Sequence, residues 1–543
     1  MSGADDIMRQ VESAQVLVFP GAKRHTSGGE ADAHMAETPK ASDLPSEQTG
    51  EADSARMSAQ SETSDCGQAA PPPAADAVAA GESGKSSRTG GSKNAAPAAD
   101  GTGGTDGRDD FETPAPGDQR GRDRGGDDDA FDLDARLAQR PMTDLGNAER
   151  FTARFGQRFR FCEAIGWLAW DGRRWNRDQA EARVMLAEHE CVRAIQEEAD
   201  ALIESGGDFV AGTKGKGKDK EDVWFSALLR AWGRTSEGAN KMGAISKRAA
   251  PMLQIGIDQL DADPMRLNVL NGTLVFSKDH DGYVELRPHD PSDLITKLAP
   301  VDYDPKAICE KYDAFLAKVQ PKREADAKVQ VSRFLHQWAG LSLTGETGEQ
   351  RYTFHYGKGR NGKGVWVSTL AHILGDYAGS IRIESFLDSG RANSGGQATP
   401  DIAKLPGVRF LSTSEPKKGA TLDEGLVKLF TGEDVISARH LNKDFFDFRP
   451  VAKLTMQGNY RPKISGTDEG IWNRTILVPW PVFIPPEERD AKLAIKLRAE
   501  ASGILNRYLD GLRDWLDHGL QLPGSVAAAT ADYRAGSDPL GRF

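Results

Sequence analysis

Several kinds of residue and segment are scarce in this sequence, and each scarcity excludes a class of protein. The 543 residues include four cysteines, none of them within four positions of another. This spacing excludes a dense disulfide framework and a zinc knuckle. No stretch approaches 18 consecutive apolar residues, so we expect no transmembrane helix and no membrane partner. The sequence therefore predicts a soluble, cytoplasmic protein.

Positive charge and apolar residues are also in deficit. The 69 Lys and Arg residues are outnumbered by 81 Asp and Glu residues, which gives a net charge of −12. No overall positive field attracts nucleic acid, although local basic patches can still bind it. A hydrophobic content of 38% is low for a chain that folds throughout. The length predicts two or three domains beside a segment that does not pack.

The unpacked segment is expected at the amino terminus. Residues 1–135 consist mainly of Gly, Ser, Ala, Asp, Glu and Pro, as in "AAPPPAADAVAAGESGKSSRTGG". Such residues bury too little apolar surface to offset the entropy lost on ordering, so the segment is predicted to be disordered. A solvated linker and an interaction tail are the two interpretations that remain open.

The rest of the chain predicts three folded segments. Residues 136–304 mix strand-like runs and a long amphipathic helix, which indicates an α+β accessory domain. Residues 305–490 alternate short apolar strands with helices, as α/β domains do. Residues 491–543 predict a C-terminal helical segment. Within the accessory domain, the lysine- and glycine-rich residues 212–222 are predicted to form an exposed loop.

The stretch "YGKGRNGKGVW", residues 356–366, fits the phosphate-loop pattern G-x-x-x-x-G-K-[ST] up to its last position. It follows the alternating strand "RYTFHY" and precedes the helix "GVWVSTLAHIL", the context in which the pattern is credible. Backbone N–H groups and the helix N-terminus would hold the phosphates. The residues predicted to bind nucleotide are Gly357, Lys358, Gly359, Arg360, Asn361, Gly362, Lys363 and Gly364.

The last position of that pattern raises the question of magnesium. Gly364 stands where a Ser or Thr hydroxyl usually ligates the ion, so Mg²⁺ would depend on phosphate oxygens, waters and carboxylates elsewhere. Glu415 ends the apolar strand "VRFLSTSEP" and is predicted to be the catalytic base and a magnesium ligand. Ser414 precedes it, where an acidic residue is usual.

Two further polar residues border strands, and a basic segment lies between Glu415 and both of them. Asn459 ends "VAKLTMQG" and can bind the attacking water or a phosphate, while Arg474 precedes "TILVPW" and can stabilise transferred phosphoryl charge from a neighbouring subunit. The segment "SARHLNKDFFDFRP" mixes cations with phenylalanines, as a DNA-binding hairpin would. Core phenylalanines are the alternative. The predicted DNA contacts are Arg439, His440, Lys443 and Arg449.

Taken in this order, the motifs resemble the superfamily 3 helicases, and more closely the C-terminal helicase part of phage and plasmid replication primase–helicases. The resemblance covers about residues 140–543 and is carried by "FHYGKGRNGKG", "ISARHLNKDFFDFRP" and "GIWNRTILVPW". It implies an AAA+-type ATPase core, ATP and Mg²⁺ bound between subunits of a hexameric ring, and movement along single-stranded DNA. It also implies roles for Lys363 with phosphate, Glu415 in hydrolysis, Asn459 as sensor and Arg474 as arginine finger.

Some features depart from that family. Asn473 stands where a first arginine is frequent, and residues 1–135 are unlike a folded primase domain, so we expect priming and other replication proteins to be separate partners. A winged-helix domain after "SDPLGRF" is also not expected. Two other interpretations stay open: a P-loop small-molecule kinase, and a degenerate prophage remnant that binds nucleotide or DNA without turnover.

Overall fold

The computed structural model describes residues 124–388, 400–441, 443–466 and 469–537, with side chains from residue 130 onward. Most of the segment predicted to be disordered lies outside these residues. Its last part does not, because helix α1 (Arg124–Leu137) begins inside it. The predicted boundary at residue 135 was therefore too late. Apolar and polar residues alternate in "FDLDARL", so the sequence shows no helical period there, and buried Leu137 anchors the end of the helix.

The first half of the described chain combines helices with three small antiparallel sheets, β1-β2-β3, β4-β5 and β6-β7-β8. In chain order after α1, its elements are α2 (Asp144–Phe155), β1 (Phe159–Cys162), β2 (Gly166–Trp170), β3 (Trp175–Asn176), α3 (Ala180–Glu204), β4 (Val210–Lys214), β5 (Glu221–Trp224), α4 (Phe225–Ser236), α5 (Ala239–Ala249), β6 (Arg266–Val269), β7 (Gly272–Phe276) and β8 (Val284–Arg287).

The predicted long helix is confirmed as α3. The predicted loop at 212–222 is exposed as expected, but its two ends are strands rather than loop. Residues 210–214 and 221–224 pair as the hairpin β4-β5, with a register shift between Val210 and Gly212. Every side chain of β4 is exposed, so no apolar alternation marked it as a strand. Backbone hydrogen bonds between β4 and β5, which do not depend on side-chain type, hold this hairpin together.

The second half holds the remaining elements: α6 (Glu310–Val319), α7 (Val331–Leu341), β9 (Tyr352–Tyr356), α8 (Lys363–Leu374), β10 (Ala378–Ile381), β11 (Phe410–Thr413), α9 (Glu424–Thr431), β12 (Ile436–Ala438), β13 (Phe446–Phe448), β14 (Lys453–Gly458), α10 (Glu469–Arg474), β15 (Thr475–Pro479), α11 (Leu493–Arg498), α12 (Ala501–His518) and α13 (Gly524–Ser537).

Five of these strands form a parallel sheet in the order β10-β11-β14-β9-β15. Parallel strands are stable when both faces are covered, and alternate residues of each strand supply the two faces. In β15, Ile476 and Val478 enter one core cluster, while Leu477 enters the other. The α/β prediction is confirmed at this level, and all five carboxyl ends lie along one edge of the sheet.

The core cluster that contains Ile476 and Val478 also joins segments that the sequence predicts as separate domains. Leu267 and Leu274 from β6 and β7 share it with Trp338 of α7, Trp366 of α8 and Leu512 of α12. The domain boundaries at 304 and 490 stay predictions, and one continuous core spans both. Within the part of the chain that the structure describes, no helix combines the length and apolar character needed to span a membrane.

Candidate functional site

The glycine-rich loop, residues 357–362, follows β9 and enters α8. At Gly357, a Cβ would lie 2.3 Å from the backbone oxygen of Trp480. Gly362 has φ +86°, and its Cβ would lie 2.7 Å from Val319 Cγ1. Only glycine fits such positions without strain. The buried Asn361 amide donates to the Trp480 oxygen at 3.1 Å, which ties the loop to the end of β15.

Lys363 is the first residue of α8, and its side chain turns back into the loop. The ammonium donates to the backbone oxygen of Gly357 and, at 3.1 Å, to Asn459 Oδ1. Burial lowers the pKa of Lys363 from its ordinary value, and the nearby Glu415 carboxylate partly opposes this. No carboxylate of the described residues forms an ion pair with this buried ammonium, so it is suited to receive an anion.

Glu415 and Asn459 follow neighbouring strands, β11 and β14. Glu415 Oε1 accepts the backbone N–H of Asn459 at 2.7 Å. Because the Asn459 side chain also accepts from Lys363, the three residues are linked in one chain of contacts, through the backbone and the side chain of Asn459, at the carboxyl edge of the sheet. The sequence predicted each residue separately, and the structure brings them together.

A cavity of about 1050 Å³ opens over this chain. It is lined by Gly359–Gly364 of the loop and by Glu415 and Asn459, whereas Gly357 and Lys358 do not line it. Gly357 acts through its backbone oxygen on Lys363, and the Lys358 side chain is exposed. Of the predicted nucleotide residues, Lys358 is the one that the structure leaves outside the site.

The sequence did not reveal the opposite wall of the cavity. α6 supplies Lys311, Phe315 and Lys318, and the segment at residues 484–496 supplies more lining residues. The α6 side chains recur at i, i+4 and i+7, so they share one helix face. The sequence contains that periodicity, but no local sequence signal indicated that this helix face packs against a loop more than forty positions further along the chain. The additional lining residues include Ile484, Glu488, Arg489, Asp490, Leu493 and Lys496.

The cavity is chemically divided. Phe315, Ile484 and Leu493 form an apolar part, and the loop with Lys363 forms a cationic part. Three of the other lining cations are already paired: Lys311 with Glu500 at 3.3 Å, Lys318 with Glu488 at 2.8 Å and Lys496 with Asp490 at 2.6 Å. A ligand with a flat apolar group and a polyphosphate matches both parts in size and character.

Oxygen ligands for magnesium are sparse near the loop. Ser368 and Thr369 both donate to the backbone oxygen of Val365, so they are turned toward their own helix. Ser414 Oγ accepts the N–H of Ile383 at 3.1 Å. Among the described residues, no group of three or more His, Cys, Asp or Glu side chains is arranged to hold a metal. Glu415 is the carboxylate whose charge acts on Lys363, and phosphate oxygens and waters would have to complete the shell.

Arg474 lies far from this cavity in the same chain. It ends the short helix α10, whereas the sequence predicted that it begins a strand. Because β15 runs parallel to β9, a residue just before β15 lies at the amino edge of the sheet, opposite the loop. The guanidinium donates to Gly470 O at 3.0 Å and to Gln350 Oε1 at 3.2 Å, and Gln350 precedes β9 at that same edge.

The predicted basic hairpin is confirmed as β12 and β13, an antiparallel pair joined by residues 439–445. The Arg439 guanidinium lies over the Phe445 ring at 4.7 Å, and the His440 ring stacks on Phe446 at 5.8 Å. Lys443 and Arg449 are exposed. None of the four predicted DNA contacts lines the cavity over the glycine-rich loop. Phe448 is core, as the alternative interpretation expected, whereas Phe445 is exposed; DNA binding by the hairpin stays a prediction.

An aromatic stack lies beneath the loop. His355 of β9 is fully buried between Trp366 of α8 and Trp480, with ring centroids at 5.1 and 5.6 Å. Burial and the charge of Lys363 lower the pKa of His355 to about 3. The imidazole is therefore neutral at physiological pH and belongs to the core rather than to the chemistry.

The fold and this geometry define a parallel α/β protein with a glycine-rich loop site at the carboxyl edge of its sheet. Residues 148–321 match the family model described as "D5 N terminal like". The chain is 28% identical over 275 residues to a protein of Acanthamoeba polyphaga mimivirus that is provisionally named a helicase, covering 47% of this chain and 28% of that protein. It is 32% identical over 188 residues to a protein of Frog virus 3 (isolate Goorha) named in the same way, covering 34% and 18%.

These matches agree with the resemblance found in the sequence: residues 148–321 are similar to the D5 N-terminal-like family, and the chain is similar to viral proteins provisionally named helicases. It spans less than a third of the length of either viral protein. Solved structures of the NrS-1 C-terminal region are also similar, one with a TM-score of 0.32 and 13% identity over 45% of this chain and 54% of that chain. At this level of likeness no function follows from them.

Proposed function

We propose that the chain is an ATP-dependent DNA helicase that acts in the replication of a phage, plasmid or prophage. The observation that carries the proposal is the chain of contacts Lys363–Asn459–Glu415 at the mouth of the loop. A cation for phosphate, an amide and a carboxylate lie in one cavity large enough for a nucleotide. The viral relatives named as helicases support the same class of activity.

In this proposal each residue has one task. Lys363 gives up its contacts with Gly357 and Asn459 and holds phosphate oxygens. Glu415 orients the attacking water through the oxygen that Asn459 does not occupy, and accepts its proton. Bound Mg²⁺ would neutralise charge on the phosphates, with Glu415 as its protein ligand. Asn459 contacts both residues, so it can register whether phosphate is present.

The position of Arg474 supports an oligomer. β9 is five residues long, so its first and last residues are separated by about 13 Å. Arg474 lies at the end away from the loop and can reach a phosphoryl group only in a neighbouring subunit. We therefore propose an AAA+-type ring, of six subunits by family resemblance, with the hairpin β12-β13 on single-stranded DNA.

Steady-state ATP hydrolysis by the full chain, with single-stranded DNA titrated in, tests this function. Hydrolysis should rise with DNA, and Lys363→Ala should reduce it at least about 100-fold, as the loss of a buried charge-stabilising donor does. Lys358→Ala is the matched control, because it removes a lysine of the same loop that does not line the cavity. Normal turnover in Lys363→Ala would refute the site, and nucleotide binding without turnover would favour the remnant interpretation.

A further inference from the structure

A second cavity, of about 550 Å³, lies between the three-stranded sheet β1-β2-β3 and the parallel sheet. Its lining comes from both sides. The first side contributes Arg174 and Arg177, next to β3, and the second contributes Lys404 together with His440 of the basic hairpin. The predicted DNA hairpin is thus adjacent to the D5 N-terminal-like segment, and a cation from each side faces the same space.

The carboxylates that share this lining are mostly engaged. Asp376 pairs with Arg174, and Asp401 lies 3.5 Å from Arg382. Asp261 accepts the N–H of Thr296 at 2.7 Å. Asp178 is exposed and has Arg177 beside it in the chain. Most of these carboxylates therefore interact with groups other than the cations at the hairpin.

Two cations in this region have no such partner. Among the residues that the structure describes, no carboxylate oxygen lies within 4.0 Å of the charged groups of Arg177 or Lys404, and both side chains are exposed. The charges of both residues act on His440 of the hairpin. Burial lowers the pKa of His440, and the charges of Arg177, Lys443 and Lys404 lower it further. All of these charge effects come from cations, so the potential at this imidazole is positive.

The backbone that carries Arg177 and Lys404 is anchored by buried neighbouring residues. Trp175, two residues before Arg177, is fully buried and donates its indole N–H to Pro291 O at 2.8 Å. Lys404 stands between buried Ala403 and Leu405. The backbone at both positions is therefore anchored, so binding costs less backbone entropy there than it would on a mobile loop.

We propose that Arg177 and Lys404, with His440 and Lys443 of the hairpin, form a bridging cluster that holds the phosphate backbone of single-stranded DNA between the D5 N-terminal-like segment and the hairpin. This inference rests on the proposed function, and it adds the accessory segment to the DNA-binding surface. Phe445 of the same hairpin is exposed, so a base of a single strand can stack on it while the cluster contacts the phosphates.

Fluorescence anisotropy of a labelled oligo-dT strand with the full chain, over a series of salt concentrations, tests the cluster. Each phosphate contact to a single strand contributes about 0.7 to the slope of log K against log salt, or about fivefold in affinity at 0.1 M salt. Arg177→Ala and Lys404→Ala should each show that loss. The double variant should lose about 1.4 in slope and about 25-fold in affinity, and Arg177→Lys should retain most of the binding.

Arg193→Ala is the matched control, since it removes an exposed arginine of α3 that does not line this cavity. Equal thermal unfolding midpoints would show that the variants fold. If the wild type binds DNA and Lys443→Ala weakens binding, but the double variant matches wild type in slope and affinity, the bridging cluster is wrong and the proposed function survives. If the wild-type chain binds no single strand even at low salt, both proposals fail.

Discussion

Restoring the hydroxyl missing from the phosphate-loop pattern tests how this chain would manage magnesium. Gly364 is the second residue of α8, and a Cβ added there would find its nearest atom, Gln457 Oε1, at 4.0 Å. Gly364→Ser therefore fits without displacement. Replacing a helical glycine also favours folding, by about 0.5 kcal/mol for Ser and up to about 1 kcal/mol for Ala.

The expected functional gain is larger for Ser than for Ala. A hydroxyl that replaces one water in the Mg²⁺ shell, with a strength typical of contacts to charged groups, contributes about 1.5 kcal/mol. This corresponds to a roughly tenfold lower Mg²⁺ concentration at half-maximal hydrolysis. Gly364→Ala supplies the same backbone effect without the oxygen, so it separates magnesium binding from helix stability.

The measurement is a Mg²⁺ titration of ATP hydrolysis for the wild type and both variants, with thermal unfolding alongside. Ala should raise the unfolding midpoint and leave the Mg²⁺ requirement unchanged, whereas Ser should lower that requirement. Identical Mg²⁺ curves for Ser and Ala would refute the reasoning, because the ion would then not lie beside this position.

Three further predictions address other parts of the structure. Lys443→Ala should raise the single-stranded DNA concentration needed for half-maximal stimulation of hydrolysis about fivefold at 0.1 M salt, and an unchanged value would remove the hairpin tip from the DNA surface. Arg474→Ala and Glu415→Gln subunits, each inactive alone, should regain hydrolysis when mixed; no recovery despite proven subunit exchange would contradict a finger acting between subunits. Glu198→Ala leaves the buried Arg150 guanidinium, 2.7 Å away in the native protein, without its carboxylate, so urea unfolding should show a loss of about 3–5 kcal/mol, and a loss below about 1 kcal/mol would contradict this.

The parts of the site that were predictable are those encoded next to a strand. Lys363, Glu415 and Asn459 each follow a short apolar run, and the carboxyl ends of parallel strands meet at one edge. Local sequence therefore specified both the residue and its position. The contact of Asn459 with both neighbours follows from strand order, which local sequence does not contain.

The rest depends on pairings between distant segments. The wall from α6 reaches the loop because Gly362 packs against Val319 and Phe315, a contact between segments far apart in the chain. The hairpin β4-β5 has exposed side chains throughout β4 and is held by its backbone, so composition indicated a loop. Arg474 was predicted beside a strand, but no sequence pattern indicated that "EGIWNR" forms a short helix immediately before that strand.

The aromatic stack beneath the loop gives the protein an optical reporter of its own. Trp366 follows Lys363 by three residues, and the backbone oxygen of Trp480 anchors Asn361, so both indoles are coupled to the loop. His355 between them stays uncharged near neutral pH, because its pKa is about 3, and cannot quench them as a cation. Filling of the loop by phosphate should therefore change tryptophan emission before any product forms, which makes stopped-flow fluorescence a way to time nucleotide capture without a label.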